Sequence, residues 1–299
     1  LDEDFRRPFP LMEQMSIRRP SPRETAGRII KRLKEAGYEG YLVGGCVRDL
    51  LLGAEPEDFD IVTSARPQEV QALFPKTVPI GLSFGIIVVI EQGHPFEVAT
   101  YRRERGYEDG RRPSVVSFGS AEEDVRRRDF TVNGLLLDPA TGEVRDFIGG
   151  TGDLEKRLIR TIGNPEERFA EDHLRMLRAV RFAANLDFDL DPDTCAAIRR
   201  RAPSISRISA ERVRDELARL LTRRRARRGM ELLAYSGLLR EILPEAEALQ
   251  GVTQPSRYHP EGDVWEHVLC MLSLLPGGLG AEGDLQLAWA VLLHDIGKP

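Results

Sequence analysis

The pair Gly44-Gly45 constrains this chain more than any other feature. A short apolar run, Tyr41-Leu42-Val43, precedes it. Val47 to Leu52 follows with the spacing of a short helix closed by Gly53, and Phe59-Ile61-Val62 then reads as a second strand. Strand, glycine turn, helix, strand is a tight unit whose turn backbone suits glycine best. The glycines also let main-chain N–H groups approach an anion at the start of a helix, with Arg48 adding positive charge.

The elements around this unit extend it into a sheet. Ala26, Ile29, Ile30 and Leu33 recur at helical spacing and predict a helix from Glu24 to Ala36, ending near Gly37. Phe84 to Ile90 and Phe96 to Thr100 predict two strands around a Gln92-Gly93 hairpin turn. Residues 1–24 hold four prolines and no periodicity, so they read as an N-terminal extension. Residues 25–150 then form a small mixed-sheet head. After Gly149-Gly150 the apolar pattern turns helical and stays so through Leu249, which assigns 151–255 to a helical body and leaves 256–299 as a further segment. The expected fold class is α+β, a mixed-sheet head followed by an all-α body.

With 299 residues and 41% hydrophobic composition, the chain can bury substantial cores. No stretch approaches the roughly 20 apolar residues of a membrane-spanning helix, and Leu1-Asp2-Glu3-Asp4 lacks a secretory leader's pattern. A cytoplasmic location is expected, and the absent initiator Met suggests processing, trimming or a fragment. Cys46, Cys195 and Cys270 form neither a metal-type pair nor an even disulfide set, so reduced, packed thiols are expected. The net charge of −5 argues against a nucleic-acid partner, but residues 199–228 carry twelve arginines against three acids (Glu211, Asp215, Glu216), a local net of +9. That stretch is either a solvated helical face or an RNA-facing surface.

Asp58-Phe59-Asp60 begins a strand, where a period of two sends both carboxylates to one side and Phe59 to the other. A carboxylate pair with substrate phosphates completes the oxygen shell that Mg²⁺ prefers. Glu97, in a strand that could neighbour the pair, is either a third carboxylate of that site or a surface glutamate.

Leu42-Val43-Gly44-Gly45-x-Val47-Arg48-Asp49 with Asp58-x-Asp60 resembles the first motif of the class II tRNA nucleotidyltransferase and bacterial poly(A) polymerase family. Arg127-Arg128-Asp129-Phe130-Thr131-Val132-Asn133 is similar to its second motif, and Glu171-Asp172-x-x-Arg175-x-x-Arg178-x-x-Arg181 to its fourth. The resemblance covers roughly residues 35–250 and implies a polymerase β-like head. It also implies template-independent addition of CCA to the 3′ end of tRNA from CTP and ATP. Asp58 and Asp60 would be the catalytic, Mg²⁺-holding pair, able to activate the primer hydroxyl and stabilise the leaving pyrophosphate. Gly45, Arg48 and Arg128 would hold the triphosphate, guanidinium groups being suited to phosphate. Asp172 and Arg175 would read the base, supported by Arg178 and Arg181. Spacing places 172, 175 and 178 on one helix face, where an acceptor and two donors can either mimic a base-pairing edge or pair within the helix.

Gly106 to Pro113 is polar and glycine-flanked, and it matches the flexible loop that the family needs for the final A and that CC-adding members lack. A-only addition and poly(A) addition remain rivals that sequence separates poorly. No Walker-type phosphate loop is present. Finally, Tyr258 to His267 and His294-Asp295 resemble the HD phosphohydrolase superfamily, which implies a metal site at His267, His294 and Asp295 and a rival activity as an HD metal-dependent phosphohydrolase. The pattern's further downstream aspartate is not in this chain, so 256–299 reads as a partial HD domain. Oligomeric state is not legible.

Overall fold

The computed structural model describes residues 20–107, 113–223, 225–275 and 282–299. Helix α1 (Pro22–Glu35) starts two residues before the predicted Glu24, because Ser21 and Glu24 close a reciprocal cap: the Ser21 hydroxyl accepts from the Glu24 N–H and the Glu24 carboxylate accepts from the Ser21 N–H. The buried face is the one the periodicity marked, Ala26, Ile29, Ile30 and Leu33.

Strands β1 (Gly40–Val43) and β2 (Asp60–Thr63) flank helix α2 (Gly45–Leu51), and α3 (Pro67–Leu73) follows. Strands β3 (Thr77–Gly81), β4 (Ile86–Glu91) and β5 (His94–Thr100) come next. The predicted strand at Phe84 begins at Ile86 instead. Leu82–Phe84 winds into a 3₁₀ turn that Gly85 ends at φ 77°, where a Cβ would lie 3.3 Å from the Phe118 ring. Gln92 and Gly93 both have positive φ, 53° and 83°, as a two-residue hairpin turn with right-handed strand twist requires.

Strands β6 (Arg102–Tyr107) and β7 (Pro113–Phe118) form a separate antiparallel ribbon that the charged run Arg102-Arg103-Glu104-Arg105 concealed in the sequence. The loop expected at 106–113 is thus flanked by paired strands, and its centre, 108–112, lies outside the described residues. After α4 (Ala121–Arg126), β8 (Leu136–Leu137) and β9 (Val144–Arg145) complete a seven-stranded sheet of order β3-β4-β5-β2-β1-β8-β9. Pairing is antiparallel except between β2 and β5, which run parallel. Every residue of β1 is buried, as a strand with neighbours on both edges should be.

From α5 (Gly150–Glu155) onward the chain is helical among the described residues, apart from the short parallel pair β10 (Leu158–Ile159) and β11 (Asp189–Leu190). The helices are α6 (Pro165–Glu171), α7 (Leu174–Leu186), α8 (Pro192–Arg201), α9 (Ala210–Leu221), α10 (Ala226–Tyr235), α11 (Leu238–Ile242), α12 (Pro244–Glu247), α13 (Val264–Leu274) and α14 (Glu282–Leu293). The α+β class expected from the sequence is the observed one. One buried apolar cluster runs from Ala26 to Leu292 and joins the sheet-bearing part to the helices. Cys46 and Cys195 are buried free thiols and Cys270 is half-buried. Among the described residues no helix is long and apolar enough to cross a membrane.

Candidate active site

A cleft of about 1110 Å³ opens between the sheet's strand ends and the face of α7. Gly44 is the hinge of its head side. It caps α2 with φ 81° and ψ −139°, a backbone few other residues adopt, and a Cβ there would lie 3.7 Å from Asp60 Oδ2 and 3.9 Å from Arg128 Nη1. The turn thereby brings bare backbone between an anionic and a cationic group. One turn on, Arg48 is 8% exposed, donating from Nη1 to Asn133 Oδ1 at 2.8 Å and from Nε to Asp49 at 2.8 Å. Arg128 donates from Nη2 to Asp124 at 2.9 Å, and its Nε is buried without an acceptor.

Asp58 is exposed and Asp60 half-buried beside it, with Phe59 turned into the core. The parallel register pairs Ile61 with Val98, so one step earlier Asp60 falls beside Glu97. Burial, then the charges of Asp58 and Glu97, push the Asp60 carboxyl up to about 6 against the pull of Arg128. Oxygen donors that repel one another in this way suit a hard divalent cation. In the structure Asp58, Asp60 and Glu97 are not drawn within 4.8 Å of one another as a set, and among the described residues they make no ion pair.

The opposite wall corrects the sequence reading. Residues 172, 175 and 178 do not share one helix: Asp172 is the C-terminal cap of α6, and α7 starts at Leu174. The Asp172 carboxylate accepts from the Leu174 N–H at 3.0 Å, a local turn one residue ahead of the His173 cap of α7, and pairs with Arg212 Nη2 at 3.1 Å. Arg175 bonds Glu171 at 2.5 Å and the Arg168 carbonyl at 2.9 Å. Arg178 grips Asp129 through two donors at 2.7 and 3.0 Å. Burial alone would raise Asp129, but Arg178 outweighs it and holds that carboxyl down at about 2. Arg181 pairs with Glu216 at 2.6 Å, which also faces Arg178 and Arg219. The cleft nonetheless gathers Gly45, Arg48, Asp58, Asp60, Arg128, Asp172, Arg175, Arg178 and Arg181 on its lining.

The arginine stretch 199–228 is not a bare cationic face. Glu166 takes Arg200 and Arg201, Glu57 takes Arg223, Asp187 takes Arg225, Glu266 takes Arg227 and Asp189 takes Arg228. Each of these acids lies outside the window that gave the local excess. At the other end of the chain, His267 does meet His294 and Asp295. The rings of His267 and His294 are 5.5 Å apart, and the three ligand atoms fall within 4.8 Å of one another. His267 Nδ1 faces Glu261 at 2.6 Å and His294 Nδ1 faces the Val291 carbonyl at 2.8 Å, while His294 Nε2 lies 3.3 Å from Asp295 Oδ2.

Sequence reasoning missed the supports. Arg168 donates to the carbonyls of both Arg127 and Arg128 at 2.5 Å and pairs with Glu171, tying α6 to the segment that carries Arg127 and Arg128. Asp124, 1% exposed, holds Arg127 at 2.6 Å and Arg128 at 2.9 Å. Burial opposes its ionisation, yet Arg128 and Arg127 keep it below the usual carboxylate range.

Comparison with known proteins adds to this geometry. A profile described as "Poly A polymerase head domain" matches residues 40–160, and one described as "Probable RNA and SrmB- binding site of polymerase A" matches residues 187–249. The CCA-adding enzyme of Limosilactobacillus reuteri is 46% identical over 220 residues, 73% of this chain and 54% of that protein. The crystal structure of the Bacillus stearothermophilus CCA-adding enzyme in complex with CTP superposes with a TM-score of 0.77 at 39% identity, covering 94% of this chain and 64% of that one. A tRNA nucleotidyltransferase complexed with a primer tRNA and an incoming ATP analogue superposes with a TM-score of 0.62 at 26% identity, covering 88% of this chain and 79% of that one. The chain spans a little over half the length of the curated relatives it matches, 54% in the case above.

Proposed function

Because the chain belongs to the poly(A) polymerase head-domain family of nucleotidyltransferases that includes the CCA-adding enzymes, we propose that it adds CCA to the 3′ end of tRNA from CTP and ATP, without a template. One observation carries the proposal: Gly44 sets bare backbone between Asp60 and Arg128, so that an anionic triphosphate and a carboxylate-bound cation meet at one corner. Asp58 and Asp60 hold Mg²⁺, with Glu97 behind Asp60. Magnesium bound there supplies charge neutralisation for the attacking and leaving oxygens. Gly45, Arg48 and Arg128 hold the triphosphate, the unpaired Nε of Arg128 being a donor for it.

The base lies against Asp172 and Arg175, which exchange Arg212 and Glu171 for its acceptor and donor edges. Arg178 and Arg181 fix that wall through Asp129 and Glu216. The tRNA is the acceptor, and the reaction takes place where tRNA is processed, in the cytoplasm.

The test offers CTP or ATP singly to tRNA ending before CCA, to tRNA ending in CC and to an unrelated RNA. The proposal expects C on the first, A on the second and neither on the third. Incorporation of A alone would move the assignment to A-addition, and A on every RNA to poly(A) addition.

The convergence of His267, His294 and Asp295 favours a second reading for residues 256–299, a transition-metal site of phosphohydrolase type. Phosphate release from a generic phosphomonoester that survives Asp58→Ala with Asp60→Ala and is lost in His267→Ala supports it. Release abolished by the carboxylate pair and untouched by His267→Ala rejects it.

A further inference from the structure

Helix α7 turns one more side chain into the cleft, Phe182, which belongs to none of the motif spacings. Its ring meets Phe130 of the head edge-on, with centroids 5.7 Å apart and planes at 74°. Three guanidinium groups lie against the same ring: Arg181 at 4.3 Å, Arg178 at 5.3 Å and Arg48 at 5.5 Å from its centroid. Arg48 comes from α2 in the head, the other two from α7.

Like charges gathered at one point repel, and the negative faces of an aromatic ring offset that repulsion. An aliphatic side chain of similar volume would fill the space without doing so. Each arginine is also anchored away from the ring, Arg48 by Asn133, Arg178 by Asp129 and Arg181 by Glu216. The ring is the element common to all three.

We propose that Phe182 is a positioning residue of the nucleotide site: its ring sets the head's phosphate-facing Arg48 against Arg178 and Arg181 of the body, so that triphosphate binding and base selection share one geometry. The inference rests on the nucleotidyl-transfer reading, in which Arg48 meets the triphosphate. Since CTP and ATP have that group in common, loss of the ring weakens both alike.

The test compares Phe182→Met, which keeps apolar volume, and Phe182→Tyr, which keeps the ring, with the unaltered chain. Steady-state constants for CTP and ATP are measured at saturating tRNA, alongside CTP affinity by calorimetry and thermal midpoints. The methionine variant is expected to raise KM for both nucleotides by about 5-fold with a smaller change in kcat, and the tyrosine variant to stay within about 2-fold. A merely structural role would lower the midpoint and the active fraction, so kcat would fall at unchanged KM. That pattern, a KM rise for one nucleotide only, or tyrosine no better than methionine overturns the proposal. Absence of transfer by the unaltered chain overturns the parent reading. CTP affinity then decides Phe182 by itself, and equal affinity in the unaltered and methionine chains, or none in either, overturns it.

Discussion

Two charged regions of this molecule look alike in sequence and differ in structure. Asp58 and Asp60 line the cleft with no ion pair among the described residues, Glu97 stands on the neighbouring strand, and burial together with the charges of Asp58 and Glu97 pushes Asp60 up to about 6. In 199–228, by contrast, Arg200, Arg201, Arg223, Arg225, Arg227 and Arg228 pair with acids drawn from distant parts of the chain, such as Glu166, Asp187 and Glu57. Charge left uncompensated at a cleft is available to a ligand, whereas charge compensated within the fold mainly shapes the fold. The carboxylate corner therefore marks chemistry more sharply than the arginine belt marks an RNA grip.

The comparison breaks if the body's buried charges prove dispensable for folding. Glu216 is 4% exposed and faces Arg178, Arg181 and Arg219. Glu216→Gln leaves those guanidinium groups under-compensated and is expected to cost about 3 kcal/mol, read as a lower thermal or denaturant midpoint. An unchanged midpoint would show that the pairing does not hold the helices.

The carboxylate corner predicts the opposite sign. Asp60 binds its proton more tightly in the folded chain than in the unfolded one, so it opposes stability once ionised. Without added divalent ions, stability should fall as pH rises from about 4 to about 6, by an amount on the order of 2 kcal/mol. Asp60→Asn should remove that slope, raise the midpoint at pH 7 by a few degrees and abolish nucleotide transfer. Adding Mg²⁺ should stabilise the unaltered chain and not the variant. Asp129, held at about 2 by Arg178 once burial is outweighed, behaves conversely: its contribution is present above about 4 and disappears as pH falls toward about 2.

The smallest effect belongs to the exposed belt. Arg200→Ala breaks a surface pair with Glu166 and should change stability by less than about 1 kcal/mol, with tRNA affinity altered by less than about 3-fold. A large loss of affinity with a shallower salt dependence would return RNA binding to the belt and narrow the contrast.

How much of this was legible follows from the range of the interactions. Gly44-Gly45 could be read because its geometry is local, a positive-φ turn needing only a few neighbouring residues, whereas the strand expected from Asp58 begins at Asp60 and leaves Asp58 outside it. The helix break at Asp172 was missed because no proline or glycine marks it. Its signal was Asp172 two residues before Leu174, a side chain able to accept from the Leu174 N–H in a local turn. The ribbon β6–β7 was hidden by a charged run without apolar alternation. Phe182, Asp124, Arg168 and Glu216 could not be assigned at all, since their roles depend on partners brought together only by the fold, such as Arg178 with Asp129, 49 positions apart.

Incorporation of labelled C from CTP into tRNA ending before CCA, by the unaltered chain and by Asp58→Ala with Asp60→Ala, tests the central claim most directly. The account predicts addition by the first and none by the second, whose thermal midpoint at pH 7 is no lower. Addition that persists without the two carboxylates, or none by the unaltered chain, would contradict it.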